Sequence, residues 1–310
     1  MAITASMVKE LREMTGVGML ECKKALAETD GDMEKAVELL REKGLAASAK
    51  KAGRIASEGL VDIYVSDDKK TAAIVEVNSE TDFVAKNQTF KDYVANVAKQ
   101  AASTSAANMD EFFAEKWSLD EAFTVKEALS QQVAVIGENL NIRRFEKYVR
   151  ETAGSLVSYV HGGGRIGVLI ELACEKEAPE LEELGKNVAM QIAALNPKFI
   201  AVDNVPADFI EKEKEILTQQ AKNDPKNASK PDNIIEKMIV GRLNKEMKEI
   251  CLVEQPYVKD GDMSVKQYID SVAKVVGAPI TIARYVRFET GEGLAKKEEN
   301  FAEEVAKAAQ

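Results

Sequence analysis

One histidine, one tryptophan and three cysteines occur among the 310 residues, and each scarcity removes a class of function. The single histidine, His161, excludes a metal site that needs two or more histidines and any acid–base scheme built on a histidine pair. Cys22, Cys174 and Cys251 stand far apart, are odd in number and show no paired spacing. Neither a disulfide framework nor a zinc site is expected from them, and reduced thiols are the default. No uninterrupted apolar run reaches the roughly 18 residues that a membrane helix requires. The N-terminal MAITASMVKELREM has neither the basic start nor the apolar stretch of a secretory signal. A cytoplasmic chain without a membrane partner is therefore expected. Basic residues are also in deficit: 42 Lys and Arg against 52 Asp and Glu leave a net charge of −10. That balance opposes wholesale binding to nucleic-acid phosphates, because favourable counterion release needs a basic face. No G-x-x-x-x-G-K-[ST] phosphate loop occurs, no cofactor is indicated, and a protein partner is the better expectation than a nucleic acid.

One glycine motif is formally present. Residues Gly162-Gly163-Gly164-Arg165-Ile166-Gly167 match G-x-G-x-x-G, but a dinucleotide fingerprint must leave a strand and open a helix. Here Val168-Leu169-Ile170-Glu171-Leu172 follows, which is strand-like, and Leu156-Val157-Ser158-Tyr159-Val160 precedes. The glycines read as the turn of a β-hairpin.

With 45% apolar and 30% charged residues, the chain has ordinary globular composition and room for two or three domains. Residues 1–44 read as a three-helix unit. Thr4 caps a first helix carrying Val8, Leu11 and Met14, a second begins near Met19, and a third runs from about Asp32 to Lys43. Met33, Ala36, Val37 and Leu40 follow helical spacing, and Gly44 stands where a left-handed terminator belongs. So small a unit must lean on a neighbour or a partner. Met19 and Leu20, at a helix start, either form a docking tip or fill this small core. Leu45 to Ser57, rich in Ala and Lys, reads as a linker or a frayed helix.

Beyond it the pattern occurs twice. In the first copy, Leu60–Val65 and Ala72–Val77 form a hairpin, Thr89–Ala102 and Thr124–Ile136 are helices, and Asn141–Val149 is a strand. The second copy repeats the closing helix at a constant offset of 140 (264 − 124), from Ser264-Val265-Lys266 to Val276-Gly277. Ile142-Arg143-Arg144-Phe145 likewise recurs as Ile282-Ala283-Arg284-Tyr285, and Ile74-Val75-Glu76-Val77 as Leu169-Ile170-Glu171-Leu172. Each copy is expected to be a three-stranded antiparallel sheet with helices on one face, an α+β arrangement.

The copies differ in two places. Between strand and helix the first has 20 positions from Val77 to Val97 (97 − 77) and the second 16 from Leu172 to Val188 (188 − 172). The surplus coincides with Thr81 to Asn87. In that segment Thr81 or Asp82 can cap a helix and Phe83 can be simply buried, or the aromatic beside an acid can be a tool presented at a turn. The second copy also carries an insertion, roughly Asn196 to Met263. Ile210, Ile216, Leu217 and Ala221, then Ile235, Ile239, Leu243, Met247 and Ile250, predict an antiparallel helical hairpin whose narrow stripe is a two-helix seam or an oligomer contact. Phe301, Val305 and Ala308 predict a short C-terminal amphipathic helix.

Five segments in this order, LREMTGVGMLECKKAL (11–26), EVNSETDFVAKN (76–87), IGENLNIRR (136–144), YVHGGGRIGVL (159–169) and VRFETGEGL (286–294), resemble the elongation factor Ts family over the whole length. The resemblance implies a ubiquitin-associated-like domain with its linker at 1–55, core subdomains at 56–152 and 153–290, a coiled-coil hairpin at about 200–255 in the second, and a helix module at 291–310. It implies guanine-nucleotide exchange on elongation factor Tu, nucleotide-free or GDP-bound, by a factor that is not an enzyme and works alone or in a two-by-two assembly through the hairpin. Carried over residue by residue, Phe83 is the apolar wedge, Asp82 its polar companion, and Thr81 and Val84 the frame that dislocates the partner's magnesium. Met19, Leu20, Lys23 and Phe301 are the implied contacts to the partner's nucleotide domain, and His161 with Gly162 contacts another of its domains or forms an exposed turn. An adaptor acting through the three-helix unit alone is the competing class.

Overall fold

The computed structural model describes residues 3–227 and 230–296. Phe301, Val305 and Ala308 lie outside the described residues.

The chain opens with helices α1 (Ala5–Thr15), α2 (Met19–Glu28) and α3 (Met33–Lys51). Thr4 caps α1 through its side chain, which accepts from the Met7 N–H, and Asp32 caps α3 in the same way. Val8, Leu11, Cys22, Ala25, Leu26, Ala36 and Leu40 form their small common core. Met14 is exposed and takes no part in it.

The expected stop at Gly44 does not occur. Helix α3 runs on to Lys51 through the stretch expected to be a linker, and Gly44 is buried within it. The Ala- and Lys-rich sequence after Gly44 supports helix, so the glycine is not a terminator; it lets α3 approach a neighbouring helix closely.

The first repeat comprises β1 (Glu58–Val65), β2 (Thr71–Ser79), α4 (Asp82–Lys86), α5 (Gln88–Ser103), α6 (Met109–Ala114), β3 (Lys116–Trp117), β4 (Asp120–Thr124), α7 (Val125–Ile136) and β5 (Asn141–Val149). The second comprises β6 (Gly154–His161), β7 (Ile166–Cys174), α8 (Glu180–Leu195), α9 (Ala207–Asn223), α10 (Asp232–Ile250), β8 (Pro256–Tyr257), β9 (Asp260–Ser264), α11 (Val265–Val276) and β10 (Ile280–Glu289). The sheets are ordered β1-β2-β5 and β10-β7-β6, antiparallel throughout. The central strands β2 and β7 are buried almost end to end, because each is covered on both faces, and their sequences are accordingly near-continuous apolar runs. The architecture is α+β.

Each sheet turns one face to its own helices. Val75, Val77, Phe90, Val94, Val97 and Ile142 pack in the first core, and Ile170, Leu172, Leu184, Val188, Ile192 and Ile282 in the second. The opposite faces meet each other, with Val61, Ile74, Tyr148, Leu156, Leu169 and Phe288 in a third core between the sheets. At its edge the Arg144 guanidinium lies 4.1 Å from the Phe288 ring centre, and the Arg284 guanidinium 4.0 Å from that of Tyr148. These four residues are two pairs at the repeat offset, each arginine stacking on the other unit's aromatic ring.

The repeat extends further than the insertion expected at 196–263. The two-stranded ribbon β3–β4 recurs as β8–β9, with Lys116 and Pro256 in the same place (256 − 116 = 140). A buried glutamine braces each ribbon. Gln100 donates to the Lys116 carbonyl and accepts from the Ser118 N–H, and Gln191 does the same with the Pro256 carbonyl and the Val258 N–H. The segment unique to the second copy therefore ends before Pro256. It contains the hairpin α9–α10, which buries Ala221, Ile239 and Met247 and leaves Ile216, Ile234 and Val240 exposed. Part of the expected stripe is thus a two-helix seam.

The three-helix unit leans on the first repeat, as its small core requires. Arg41 pairs with Glu127 at the start of α7 and stacks 4.8 Å from the Phe123 ring, while Lys51 donates to the Val133 carbonyl at 3.4 Å. A cavity of about 240 Å³ lined by Met14, Val17, Leu40, Trp117 and Phe123 lies along this junction.

Candidate functional site

Residues 76–87 leave the end of a buried strand and emerge at the surface, and segment 136–144 holds them at two points. The first is Glu76, which is fully buried. Its carboxylate accepts from Arg143 at 3.1 Å and from Arg144 at 2.6 Å, and also from the Asn78 side chain and the Gly291 N–H. A register shift in β5 puts both arginines within reach of one carboxylate. The same shift lies beside Arg284 in β10, which pairs with Glu171 at 2.7 Å, but there the second arginine is replaced by Ala283.

The second point is the turn after β2. Glu138 accepts from the Glu80 and Thr81 N–H groups, both at 3.1 Å, and from the Thr81 hydroxyl at 2.6 Å. The next residue, Asn139, donates its N–H to Glu80 at 2.6 Å and its side-chain amide to the Arg54 carbonyl at 2.8 Å. The turn before α4, the turn before β5 and the chain entering β1 are thereby tied together.

On this base stands α4. Thr81 caps it, accepting from the Val84 N–H at 3.4 Å. Ala85 is buried and Val84 packs partly against the first core, which fixes one side of the helix. Phe83 points the other way and is 80% exposed, so it is not a core residue. Lys86 pairs with Asp82 at 2.6 Å and stands 6.0 Å from the Phe83 ring. The Lys86 ammonium holds the exposed Asp82 carboxyl below its usual pKa. The result is an aromatic ring flanked by an acid and a base on a one-turn helix. The arrangement suits insertion into a partner rather than chemistry on a bound molecule.

The structure places the remaining sequence candidates elsewhere. Met19 and Leu20, 50% and 66% exposed, open α2 above the buried Cys22, so they are not core; Lys23 beside them is exposed. His161 is exposed at the end of β6, where its Nδ1 stands 2.9 Å from the Tyr159 hydroxyl. The glycines after it form the β6–β7 turn, as the strand-like flanks predict, with positive φ at Gly162, Gly163 and Gly164. Gly164 is required there by contact as well, since a β-carbon would come within 2.5 Å of the Leu60 side chain. Phe301 is outside the described residues. Among the described residues, no cluster of three His, Cys, Asp or Glu side chains is placed to hold a metal ion, and no helix is long and apolar enough to cross a membrane.

A family model described as "Elongation factor TS" matches residues 80–292, more than half of the chain. The chain belongs to the elongation factor Ts family. Elongation factor Ts of Clostridium novyi (strain NT) is 55% identical over 303 residues, covering 98% of this chain and 97% of the relative. Elongation factor Ts of Clostridium perfringens (strain SM101 / Type A) is 56% identical over 305 residues, covering 98% of each chain. The matched range takes in α4, the second of the two points, with Glu138 and Asn139, and the α9–α10 hairpin; Glu76 lies just before it.

For this elongation factor Ts chain, the residues missed from sequence are Glu80, Glu138 and Asn139. A signal for two of them existed in the repeat: at the constant offset of 140, Glu138 and Asn139 correspond to Ala278 and Pro279. The copy without the extra helix also lacks the residues that clamp it.

Proposed function

We propose that this chain is a guanine-nucleotide exchange factor for elongation factor Tu, acting through α4. The observation that carries the reading is Phe83, 80% exposed on a clamped one-turn helix found in only one of two like units. A large exposed ring held in a fixed position is poorly explained by stability and well explained by insertion into another protein. Phe83 would be the wedge, Asp82 its polar companion, and Thr81 and Val84 the frame. Magnesium and phosphate-loop contacts hold a nucleotide in such a partner, so a wedge that shifts them lowers its affinity, about tenfold for each 1.4 kcal/mol. No covalent bond changes, so the chain is not an enzyme in the chemical sense. Reciprocity requires that GDP weaken the factor's hold by the same ratio. The nucleotide-free partner is therefore bound most tightly, and incoming GTP releases the factor.

The exposed Met19 and Leu20, with Lys23, support a second contact with the partner's nucleotide domain, and His161 with Gly162 a third elsewhere on it. Phe301 is assigned to the first of these surfaces from family resemblance. We read 1–55 as a ubiquitin-associated-like domain with its linker, 56–152 and 153–290 as the two core subdomains, and 291–310 as a C-terminal module, in a cytoplasmic protein. The exposed Ile216, Ile234 and Val240 leave the hairpin available for a two-by-two assembly. The deciding experiment is release of fluorescent GDP from elongation factor Tu. Acceleration by the full chain supports the reading; release at the spontaneous rate removes it in favour of an adaptor working through the three-helix unit.

A further inference from the structure

We propose that Glu138 is the positioning residue of the α4 tip, the side chain that sets the angle at which Phe83 is presented. The proposal rests on the exchange-factor reading for its functional consequence, but not for its structural one.

Helix α4 has five residues, far too few to be stable alone. Burial cannot orient Phe83, because its ring is largely in solvent. Ala85 and Val84 seat one side of the helix on the first core, and the entry of the chain into it is set by the cap and by whatever fixes the cap. The Thr81 hydroxyl hydrogen is committed to Glu138 at 2.6 Å, which leaves a lone pair of that oxygen for the Val84 N–H. The other Glu138 oxygen takes the two preceding backbone donors, Glu80 N–H and Thr81 N–H. One carboxylate therefore fixes both the backbone entering the helix and the hydroxyl that caps it. Its hydrogen bonds are charge-assisted and stronger than neutral ones.

Two further observations separate this from ordinary loop packing. Asn139 extends the clasp to Glu80 and to the Arg54 carbonyl, so the tip is referenced to the chain leaving the three-helix unit as well as to the sheet. In the second repeat the same turn carries Ala278 and Pro279, which offer no carboxylate and no N–H at the second position, and no counterpart of α4 stands there. The clasp and the tip occur together or not at all.

A tip that is competent for only part of the time lowers apparent affinity by that fraction without altering the bound state. Removing the clasp should therefore raise the concentration of factor needed for half-maximal GDP release while leaving the maximal rate near that of the unaltered chain. For Glu138→Ala the expected rise is about tenfold, the scale of a lost charge-assisted hydrogen bond. Glu138→Gln keeps the shape and one acceptor oxygen and should show a much smaller rise.

The experiment pairs that titration with amide hydrogen exchange on the free full-length chain. In Glu138→Ala the Val84, Ala85 and Asn87 amides should lose protection while those of β2 and α5 keep theirs. Unchanged protection of the three α4 amides overturns the proposal, as does lost protection with an unchanged half-maximal concentration. Loss spreading through β2 and α5 also overturns it, because Glu138 is then a general stabiliser. If α4 alone loosens but the unaltered chain fails to accelerate GDP release, the exchange reading falls and the positioning role stands.

Discussion

Gly44 lies against Ala134: a β-carbon built on the glycine would stand 3.7 Å from the alanine Cβ and 3.7 Å from the Ser130 carbonyl oxygen. This is where α3 and α7 cross, and it is one of the places where a glycine lets the three-helix unit come close to the rest of the molecule. The spacing is ordinary van der Waals contact, so it admits one methyl group and nothing larger.

Gly44→Ala should therefore stabilise the protein. Alanine is favoured over glycine inside a helix by about 1 kcal/mol, and here the methyl has room. Gly44→Leu should do the opposite, prising α3 from α7. Urea unfolding of the two variants measures this, and a destabilised alanine variant would show that the helices meet more tightly than 3.7 Å implies.

Docking of the same unit should depend on pH through Glu127. The Thr124 N–H donates to this carboxylate at 2.8 Å and Arg41 pairs with it, which together hold its pKa below the usual range. A carboxyl whose pKa is depressed by folding stabilises fully above its unfolded value of about 4.3, and that stabilisation is lost as pH falls through the lower folded value. Trp117, the only tryptophan, lines the junction and reports on it. Its fluorescence should show an acid transition beginning below about pH 4.3 that Glu127→Gln flattens; identical titrations for both chains would remove Glu127 from the account.

Phe83 should separate stability from activity. Because the ring is exposed, Phe83→Ala should shift the unfolding free energy by no more than about 0.5 kcal/mol. Combined with Asp82→Ala, it should greatly slow the GDP release that the unaltered chain accelerates. A folded double variant with undiminished acceleration would sink the wedge.

Arg144→Ala should be a costly change. It removes the 2.6 Å partner of a fully buried carboxylate and the stacking on Phe288, leaving Arg143 as the carboxylate's one cation beside the Asn78 and Gly291 donors, a loss of about 3 kcal/mol. Arg284→Ala should cost more, since Glu171 is also buried and loses its one arginine, whereas Glu76 keeps Arg143, Asn78 and the Gly291 N–H. Equal losses in denaturant unfolding would contradict the ranking.

Much of this molecule was legible in its sequence because its signals act over short range. The Thr4 cap, the hairpin flanks and the helical stripe of Phe90, Val94 and Val97 each depend on residues within a turn or two of one another. The repeat was visible for the same reason. What escaped was either too short to have a period, such as α6 and the two ribbons, or depended on partners distant in the chain. Nothing near Gln100 announces that it will brace Ser118, and nothing near Gly44 says whether a glycine ends a helix or lets another helix come close. For the site, the surplus at Thr81–Asn87 showed where to look, but whether Phe83 faced the core or solvent was a tertiary question.

The crossed stacking of Arg144 on Phe288 and Arg284 on Tyr148 is a contact in which position i of one unit meets position j of the other, and j meets i. That is the rule of an isologous interface, the kind that joins the identical halves of a two-fold dimer. Here both halves lie on one polypeptide. A dimer of identical chains would have to display any new loop twice, whereas a covalently joined pair can carry α4 on one half and the α9–α10 hairpin on the other while the interface between them stays two-fold. Joining the halves is what allows a symmetric scaffold to hold two different appendages at once.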